Sequence, residues 1–243
     1  MRSFLLALAF LTRIPGPAID NISDRDIALS QYYYPLIGLI IGLLLLLGEH
    51  FISLPSAALE AALLLALWVY ITGALHIDGL ADCADAWVGG YGDKDKTLLI
   101  MKDPQSGPVA VSLVVCMLLI KFTALEIIIE NGSWSALLLS TVIARSLLPL
   151  LFQTTPYVRS HGLGSALSAR PSLPLTITMQ ILCLLLAILL AGLSGLFIVV
   201  AAGLLFIIIR HLSIKRVGGI TGDVAGAMVE LTEVLVLVAF LSL

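Results

Sequence analysis

The sequence predicts an all-α fold, a polytopic integral membrane helical bundle of about seven transmembrane helices plus a short N-terminal helix. Composition is the first reason: 60% of the residues are hydrophobic and 12% are charged, whereas soluble domains are about one quarter charged. The mean hydropathy of +1.09 is the second reason. The third is a series of apolar runs of membrane-spanning length, separated by glycine, proline and polar residues.

The apolar runs define the predicted elements of one membrane domain, 1–243. The spans are expected at about 32–48, 57–75, 108–129, 134–153, 175–192, 195–210 and 223–243. The first apolar stretch, 3–14, is too short to cross a ~30 Å core at about 1.5 Å per residue. We therefore expect an interfacial or re-entrant helix there, followed by a polar surface linker at 18–31.

The distribution of basic residues predicts the orientation of the bundle. The short turns near Leu54, Asn131 and Ser194 contain neither Lys nor Arg. In the predicted topology eleven basic residues share the opposite side: Arg2, Arg13, Arg25, Lys94, Lys96, Lys102, Arg159, Arg170, Arg210, Lys215 and Arg216. Because basic loops stay in the cytoplasm, we expect a multi-pass protein of the cytoplasmic (inner) membrane. Every aspartate falls on the cytoplasmic side, so the acids would face cytoplasmic solutes.

An acidic helix face follows the second predicted span. Asp78, Asp82 and Asp85 are spaced by four and three residues, which places them on one side of a helix. Three such carboxylates repel one another unless a cation lies between them. Mg2+ suits this role because it takes oxygen ligands and leaves room for substrate phosphates. A solvated acidic helix end is the alternative, but no lysine lies between His76 and Gly92 to favour it.

A second acidic face opens the last predicted span. Asp223 and Glu230 are seven residues apart and share a side of the helix, while Glu233 lies further round. Gly226 is small enough to let another helix or a ligand approach closely. Asp223 alone could be a helix cap. The two glutamates lie deep in a membrane helix, where ionisable groups are costly and usually functional.

Two basic residues lie inside apolar runs and need anionic partners. Arg145 could form an ion pair with Glu126, Glu230 or Glu233 that fixes helix packing. We favour instead that Arg145 holds a substrate phosphate, because its planar guanidinium suits that geometry. Lys121 could extend to the membrane surface or pair with Glu126, and we assign it no role.

Loops on the same side add further candidates. Lys102 and Asp103 stand just before a span, in a segment that is either a binding loop or a surface turn. Arg159 precedes a glycine-bearing loop, 161–164, whose backbone amides could meet a phosphate. Clustered acids with basic companions are typical of metal-dependent phosphoryl transfer.

At these residues the chain resembles the adenosylcobinamide-GDP ribazoletransferase family, also called cobalamin-5'-phosphate synthase. The resemblance covers nearly the whole chain, and two motifs are specific: HIDGLADCAD at 76–85 and GGITGDVAGAMVELTE at 218–233. Supporting motifs are FLTRIP at 10–15, YPLIG at 34–38, MKD at 101–103 and HGLG at 161–164.

The resemblance implies a membrane enzyme of late nucleotide-loop assembly in cobamide synthesis. A hydroxyl of alpha-ribazole or alpha-ribazole 5'-phosphate would attack the cobinamide-linked phosphorus of adenosylcobinamide-GDP, GMP would leave, and Mg2+ would be required. The expected partners are these substrates and the lipid bilayer, and a homo-oligomer stays open. The net charge of −3 argues against nucleic acid, which binds basic faces.

The two acidic faces also motivate a hypothesis for the roles of individual residues. Mg2+ would be bound by Asp78, Asp82, Asp85, Asp223 and Glu230. The catalytic groups would be Asp82, Asp223, Glu230 and His76, where His76 donates to a ligating carboxylate or to substrate. Substrate contacts would come from Arg145, Lys102, Asp103, Arg159, Gly222 and Glu233.

Two other functions remain as alternatives. A membrane phosphotransferase of the CDP-alcohol type also clusters carboxylates on helices, although this chain does not carry the full DxxDGxxAR arrangement of that family. An ion-coupled transporter would place charges near the bilayer midplane within broken helices. Most acids here crowd one mouth of the predicted bundle, which favours an enzyme.

Overall fold

Ten helices make up the part of the chain that the computed structural model describes, residues 1–52, 54–159 and 172–243. They are α1 (Arg2–Leu11), α2 (Asp24–Ser30), α3 (Tyr34–Ile52), α4 (Ala57–Thr72), α5 (Leu75–Gly89), α6 (Lys94–Ile100), α7 (Pro108–Asn131), α8 (Ser135–Thr154), α9 (Leu173–Val217) and α10 (Gly222–Ser242). A 3-10 turn, Gln31–Tyr33, joins α2 to α3. The predicted all-α, polytopic membrane fold is confirmed.

The number of spans differs from the predicted seven. By length and apolarity, five helices of the described ranges could cross a membrane, or six if the bent pair α4 and α5 forms one span. The difference arises in α9, a single stretch of 45 residues that contains one non-helical residue, Gly192. The sequence assigned two spans, 175–192 and 195–210, to this region.

A break inside α9 explains why the sequence suggested two spans there. Gly192 has φ 57° and ψ −136°, which is not helical. A Cβ atom added to Gly195 would overlap the carbonyl oxygen of Ala187. Residues eight apart in a straight helix are separated by about 12 Å along the axis, so the chain folds back at Gly192. The predicted hairpin is therefore present within α9, with its turn at Gly192.

The N-terminal region packs against the C-terminal end of α4. The ten residues of α1 are too few to span a bilayer. The backbone N–H of Arg13 donates to the carbonyl oxygen of Ile71 at 2.7 Å. The predicted polar linker at 18–31 is partly helical instead, because Ser23 and Asp26 form a reciprocal capping box that starts α2.

A sharp bend between α4 and α5 sets the direction of the first acidic helix. The two helices meet at 88°. Gly73 and Ala74 both have left-handed backbone angles there, with φ of 63° and 56°. The side chain of Arg13 lies directly against Gly73, where a Cβ atom would collide with it. The sequence expected one span over 57–75, whereas α4 ends at Thr72 and the chain turns.

The most buried helices are α8 and α10. Every residue from Leu139 to Leu148 in α8 is buried, and α10 packs against α5, α7, α8 and α9. Large apolar side chains on α9, such as Leu189 and Leu193, are instead exposed. In a membrane such side chains face lipid. The acidic helix α10 is therefore held on several sides by other helices.

Candidate active site at the crossing of two acidic helices

The helices α5 and α10 cross in backbone contact. A Cβ atom added to Gly79 of α5 would lie 2.7 Å from the carbonyl oxygen of Asp223. A Cβ atom added to Gly226 of α10 would lie 3.2 Å from the Cα atom of His76. Only glycine allows such an approach without a shift of the backbone. The predicted close approach at Gly226 is confirmed, and its partner is α5.

This crossing brings the two predicted acidic faces together. Asp78, Asp85 and Asp223 all lie close enough to Asp82 to act on it electrostatically. Asp78 is exposed, whereas Asp82 and Asp223 are half-buried. Among the described residues, neither Asp78 nor Asp82 accepts a hydrogen bond or forms an ion pair. Two carboxylates of α5 therefore lie beside α10 with their oxygens available to a ligand.

Asp85, the third acid of α5, contacts the start of α7. Its Oδ1 atom accepts a hydrogen bond from the backbone N–H of Ala110 at 2.9 Å, and its Oδ2 atom accepts one from Gly107 at 2.5 Å. A carboxylate in this position satisfies free N–H groups and interacts favourably with the helix dipole. Asp85 thus caps α7, and its role as a metal ligand stays a prediction.

Arg159 stands next to the acids. Its Nη2 atom donates to Asp223 Oδ2 at 2.5 Å and to the carbonyl oxygen of Met101 at 3.2 Å. Thr221 also donates to Asp223 Oδ2, at 3.2 Å. Both members of the Arg159–Asp223 ion pair are partly accessible. Asp78, Asp82 and Asp223 are called the acidic mouth below. A cation expected to hold substrate phosphate is therefore located at this mouth.

The loop after α6 borders the same mouth. Met101 is buried, and its sulfur accepts a long hydrogen bond from the hydroxyl of Thr221. This contact holds the following residues, Lys102 and Asp103, at the rim, where both are exposed. The backbone N–H of Gln105 donates to Asp103 at 3.0 Å, which stabilises the turn. The structure thus brings these two candidates to the acidic helices.

Tyr157 is a site residue that the sequence did not suggest. A short parallel bridge pairs the segment around Tyr157 with Ile220, and this pairing places Tyr157 beside the first turn of α10. Its hydroxyl lies near the exposed Gly222. Burial raises the pKa of Tyr157, so the hydroxyl stays protonated. Helical periodicity contains no signal for such a bridge. The candidate loop 161–164 lies outside the described residues.

A second group of charges lies buried between α7, α8 and α10. The Nζ atom of Lys121 is 2.8 Å from Glu230 Oε2 and 2.5 Å from Glu233 Oε2. The Nη1 atom of Arg145 is 2.7 Å from Glu233 Oε1. None of the four is more than 4% exposed. The ring of Trp68 lies 4.4 Å from the Lys121 ammonium, on its α4 side.

This buried network shows which partners several of the predicted site residues have. Arg145 adopts the ion pair with Glu233 that the sequence left as an alternative, and its substrate role stays a prediction. Lys121 pairs with Glu230 and Glu233, so the suggested pairing with Glu126 is wrong. Glu230 lies about 10 Å along α10 from Asp223 by the rise per residue. Its roles as ligand and base stay predictions.

His76 lies between the two groups of charges. It is 4% exposed, and its Nδ1 atom has no hydrogen-bond partner among the described residues. Its strongest electrostatic neighbours are Arg145, Glu233 and Lys121, which all belong to the buried network. The structure therefore places His76 on the side of the α5–α10 crossing that faces the buried network, two residues before Asp78.

The side chains available as metal ligands bear on the predicted Mg2+ site. Within the described ranges, no group of three or more His, Cys, Asp or Glu side chains is arranged to hold a metal ion. Mg2+ needs fewer protein ligands, because one or two carboxylates plus substrate phosphates usually complete its shell. Asp78 and Asp82, with no hydrogen-bond or ion-pair partner among the described residues, fit that requirement.

Comparison with known proteins agrees with the motifs. The family model described as cobalamin-5-phosphate synthase matches residues 3–241. Proteins named adenosylcobinamide-GDP ribazoletransferase are similar over nearly the whole length. The protein of Pseudomonas putida strain GB-1 is 47% identical over 97% of both chains. The protein of Stutzerimonas stutzeri strain A1501 is 48% identical over 98% of this chain and 97% of its own.

The protein of Pseudomonas aeruginosa strain PAO1 is also 48% identical, over 98% of this chain and 97% of its own. No solved structure matches the chain. Similarity of this extent includes both acidic helices and the loops around them. The chain therefore belongs to the cobalamin-5-phosphate synthase family.

Proposed function

We propose that this chain transfers the cobinamide-phosphate moiety of adenosylcobinamide-GDP to alpha-ribazole or alpha-ribazole 5'-phosphate, with release of GMP. The family and the names of its relatives support this reaction. The observation that carries the proposal is the crossing of α5 and α10 at Gly79, which puts Asp223 beside Asp82. Phosphoryl transfer depends on such positioned charge more than on covalent chemistry.

The reaction is a displacement at the cobinamide-linked phosphorus. A hydroxyl oxygen of the acceptor forms a new bond to that phosphorus, and the bond to the bridging oxygen of the pyrophosphate breaks. GMP leaves with the electron pair of the broken bond. Asp82, a carboxylate without a partner among the described residues, accepts the hydroxyl proton. Arg159 and Lys102 hold the phosphate oxygens, because both cations border the mouth.

Mg2+ belongs to the proposal as a cofactor. Asp78 and Asp82 would hold it, with Asp223 as a third oxygen donor when Arg159 turns toward substrate phosphate. When bound, Mg2+ neutralises phosphate oxygens and makes the phosphorus more electrophilic. The exposure of Asp78 gives a charged pyrophosphate access to these donors from the aqueous side.

The proposed location is the inner membrane, with the acidic mouth facing the cytoplasm. The distribution of basic residues supports this orientation. Asp95, an exposed residue of α6 on the same side, offers a probe. An Asp95→Cys variant in a Cys116→Ser background should react with a membrane-impermeant maleimide in inside-out vesicles and stay unlabelled in right-side-out vesicles. Labelling only in right-side-out vesicles contradicts the orientation.

Release of GMP tests the reaction. The purified protein in liposomes, given adenosylcobinamide-GDP, Mg2+ and alpha-ribazole, should release one GMP per cobamide formed. Parallel reactions with alpha-ribazole 5'-phosphate identify the preferred acceptor from the ratio of kcat/KM. EDTA should stop the reaction, and added Mg2+ should restore it. Folded protein that releases no GMP with either acceptor contradicts the proposed function, and full activity in EDTA contradicts the metal.

A further inference from the structure

We propose that Lys121 is a positioning residue, the centre of a charge-balanced strut that fixes the rotation of α10 and so aims Asp223 at α5. The strut consists of Lys121, Arg145, Glu230 and Glu233. The inference rests on the proposed function, because it explains how that site is held in shape. It also assigns to the two deep glutamates a role other than metal binding.

One face of α10 contains both the mouth and the strut. Gly226, Glu230 and Glu233 follow Asp223 by three, seven and ten residues. At about 100° per residue these four positions lie within an arc of about 80°. Any rotation of α10 that disturbs the glutamates therefore moves Asp223 as well. The crossing glycine lies between them, so the two ends of this face share one contact with α5.

The strut connects α10 to three other helices. Lys121 of α7 bridges both glutamates, Arg145 of α8 binds Glu233, and Trp68 of α4 lies against the Lys121 ammonium. Two positive and two negative charges make the group neutral. Its members are almost fully buried, so loss of one member leaves an uncompensated buried charge, whereas loss of an opposite pair does not.

A small rotation of α10 is enough to displace the carboxylate of Asp223. A side-chain carboxylate lies about 5–6 Å from its helix axis, so a rotation of about 20° moves it by ~2 Å. Functional groups need to be held within about 0.5 Å of their productive positions. A misplacement of 1 Å can reduce a rate by about 100-fold. A strut that prevents a small rotation is therefore sufficient to decide whether Asp223 acts.

Paired substitutions separate the strut from direct chemistry at Glu230. Lys121→Met and Glu230→Gln each unbalance the buried charge, and we expect each to lower kcat per folded enzyme by about 100-fold. Both KM values should stay within about threefold, because under this proposal neither Lys121 nor Glu230 touches substrate. The double variant Lys121→Met/Glu230→Gln is neutral again and should recover to within about fivefold of wild type.

Further variants keep the test interpretable if one protein folds poorly. Lys121→Arg keeps the charge and should retain most of the activity. Thr123→Val changes an exposed position of the same helix and should behave as wild type. The melting temperature of the purified protein with and without MgCl2 supplies a readout besides activity. Mg2+ should raise it in wild type and in the double variant, and should raise it less in either single variant.

Two results overturn the proposal. If the double variant is as inactive as Glu230→Gln, Glu230 itself takes part in the chemistry or binds the metal. If folded Lys121→Met has wild-type kcat and the wild-type response to MgCl2, the network only contributes to stability. Wild-type protein without any transferase activity contradicts the proposed function instead, and the MgCl2 melting comparison then still tests the strut.

Discussion

Asp223 and Glu230 occupy the same face of one helix, seven residues apart, yet their surroundings are opposite. Asp223 is half-buried, shares the mouth with the partly accessible acids of α5, and has a partly accessible arginine as its cationic partner. Glu230 is buried and paired with Lys121 at 2.8 Å. Within the described ranges, the acids at the mouth lack full compensation by cations, whereas the deep acid is fully compensated.

This difference indicates how one helix can serve two purposes. A buried charge without a partner is too costly to keep, so the deep glutamates come with their own cations. Carboxylates near water tolerate incomplete pairing, and their remaining charge is available to a cation or a substrate. Deeply buried acids in a membrane helix are therefore not by themselves a sign of ligand binding. The partners of each acid decide between the two roles.

The largest expected effect is at the mouth. Asp82→Asn keeps the size of the side chain and removes its charge, so we expect kcat to fall by at least about 1000-fold, as when a group that acts in the transition state is lost. GMP release measures the rate. Asp95→Asn, which removes an exposed acid of α6, is the matched control and should stay within about twofold of wild type. Near-normal activity of Asp82→Asn contradicts the proposed site.

The crossing should be the next most sensitive feature. Gly79→Ala puts a methyl group 2.7 Å from the carbonyl oxygen of Asp223, and Gly226→Ala meets His76 at 3.2 Å. Overpacking costs about 1–3 kcal/mol of stability, and separation of the helices should lower kcat by about 100-fold for Gly79→Ala. The effect of Gly226→Ala should be smaller.

Gly203→Ala on α9 is the control for these variants, because a Cβ atom there meets nothing within 4 Å. Melting temperature and GMP release together report the outcome. Equal activities of the Gly79→Ala and Gly203→Ala variants would mean that the close approach of α5 and α10 does not matter for catalysis.

Much of this arrangement could be predicted from the sequence. Apolar runs gave the membrane helices, and spacings of three, four and seven residues gave the acidic faces. The sequence could not show that Asp85 caps α7, because this contact joins residues 22 and 25 positions apart. It also could not choose among the anions available to Lys121. Those pairings depend on how helices pack, which periodicity within one helix does not determine.

Substitution of Arg159 should have an intermediate effect, because it should strengthen Mg2+ binding and weaken substrate binding. Arg159→Ala removes the cation from Asp223, so Mg2+ should compete with less positive charge. We expect the Mg2+ concentration for half-maximal activity to fall about threefold, while KM for adenosylcobinamide-GDP rises about tenfold, as when a phosphate contact is lost. Metal and substrate titrations measure the two values. A higher Mg2+ requirement would contradict the assignment of Arg159 as a competing cation.

The smallest effect distinguishes the two roles of Asp85. If Asp85 only caps α7, then Asp85→Asn keeps an acceptor oxygen for Gly107 or Ala110, and activity should fall by no more than about threefold. Asp85→Ala removes both acceptors and should cost about 1 kcal/mol of stability. The Mg2+ dependence should stay unchanged in both variants. A metal ligand would behave differently, because Asp85→Asn would then raise the Mg2+ requirement although the protein remained as stable as wild type. The position of Asp85 on the same face as Asp82 would in that case matter more than its contacts to α7.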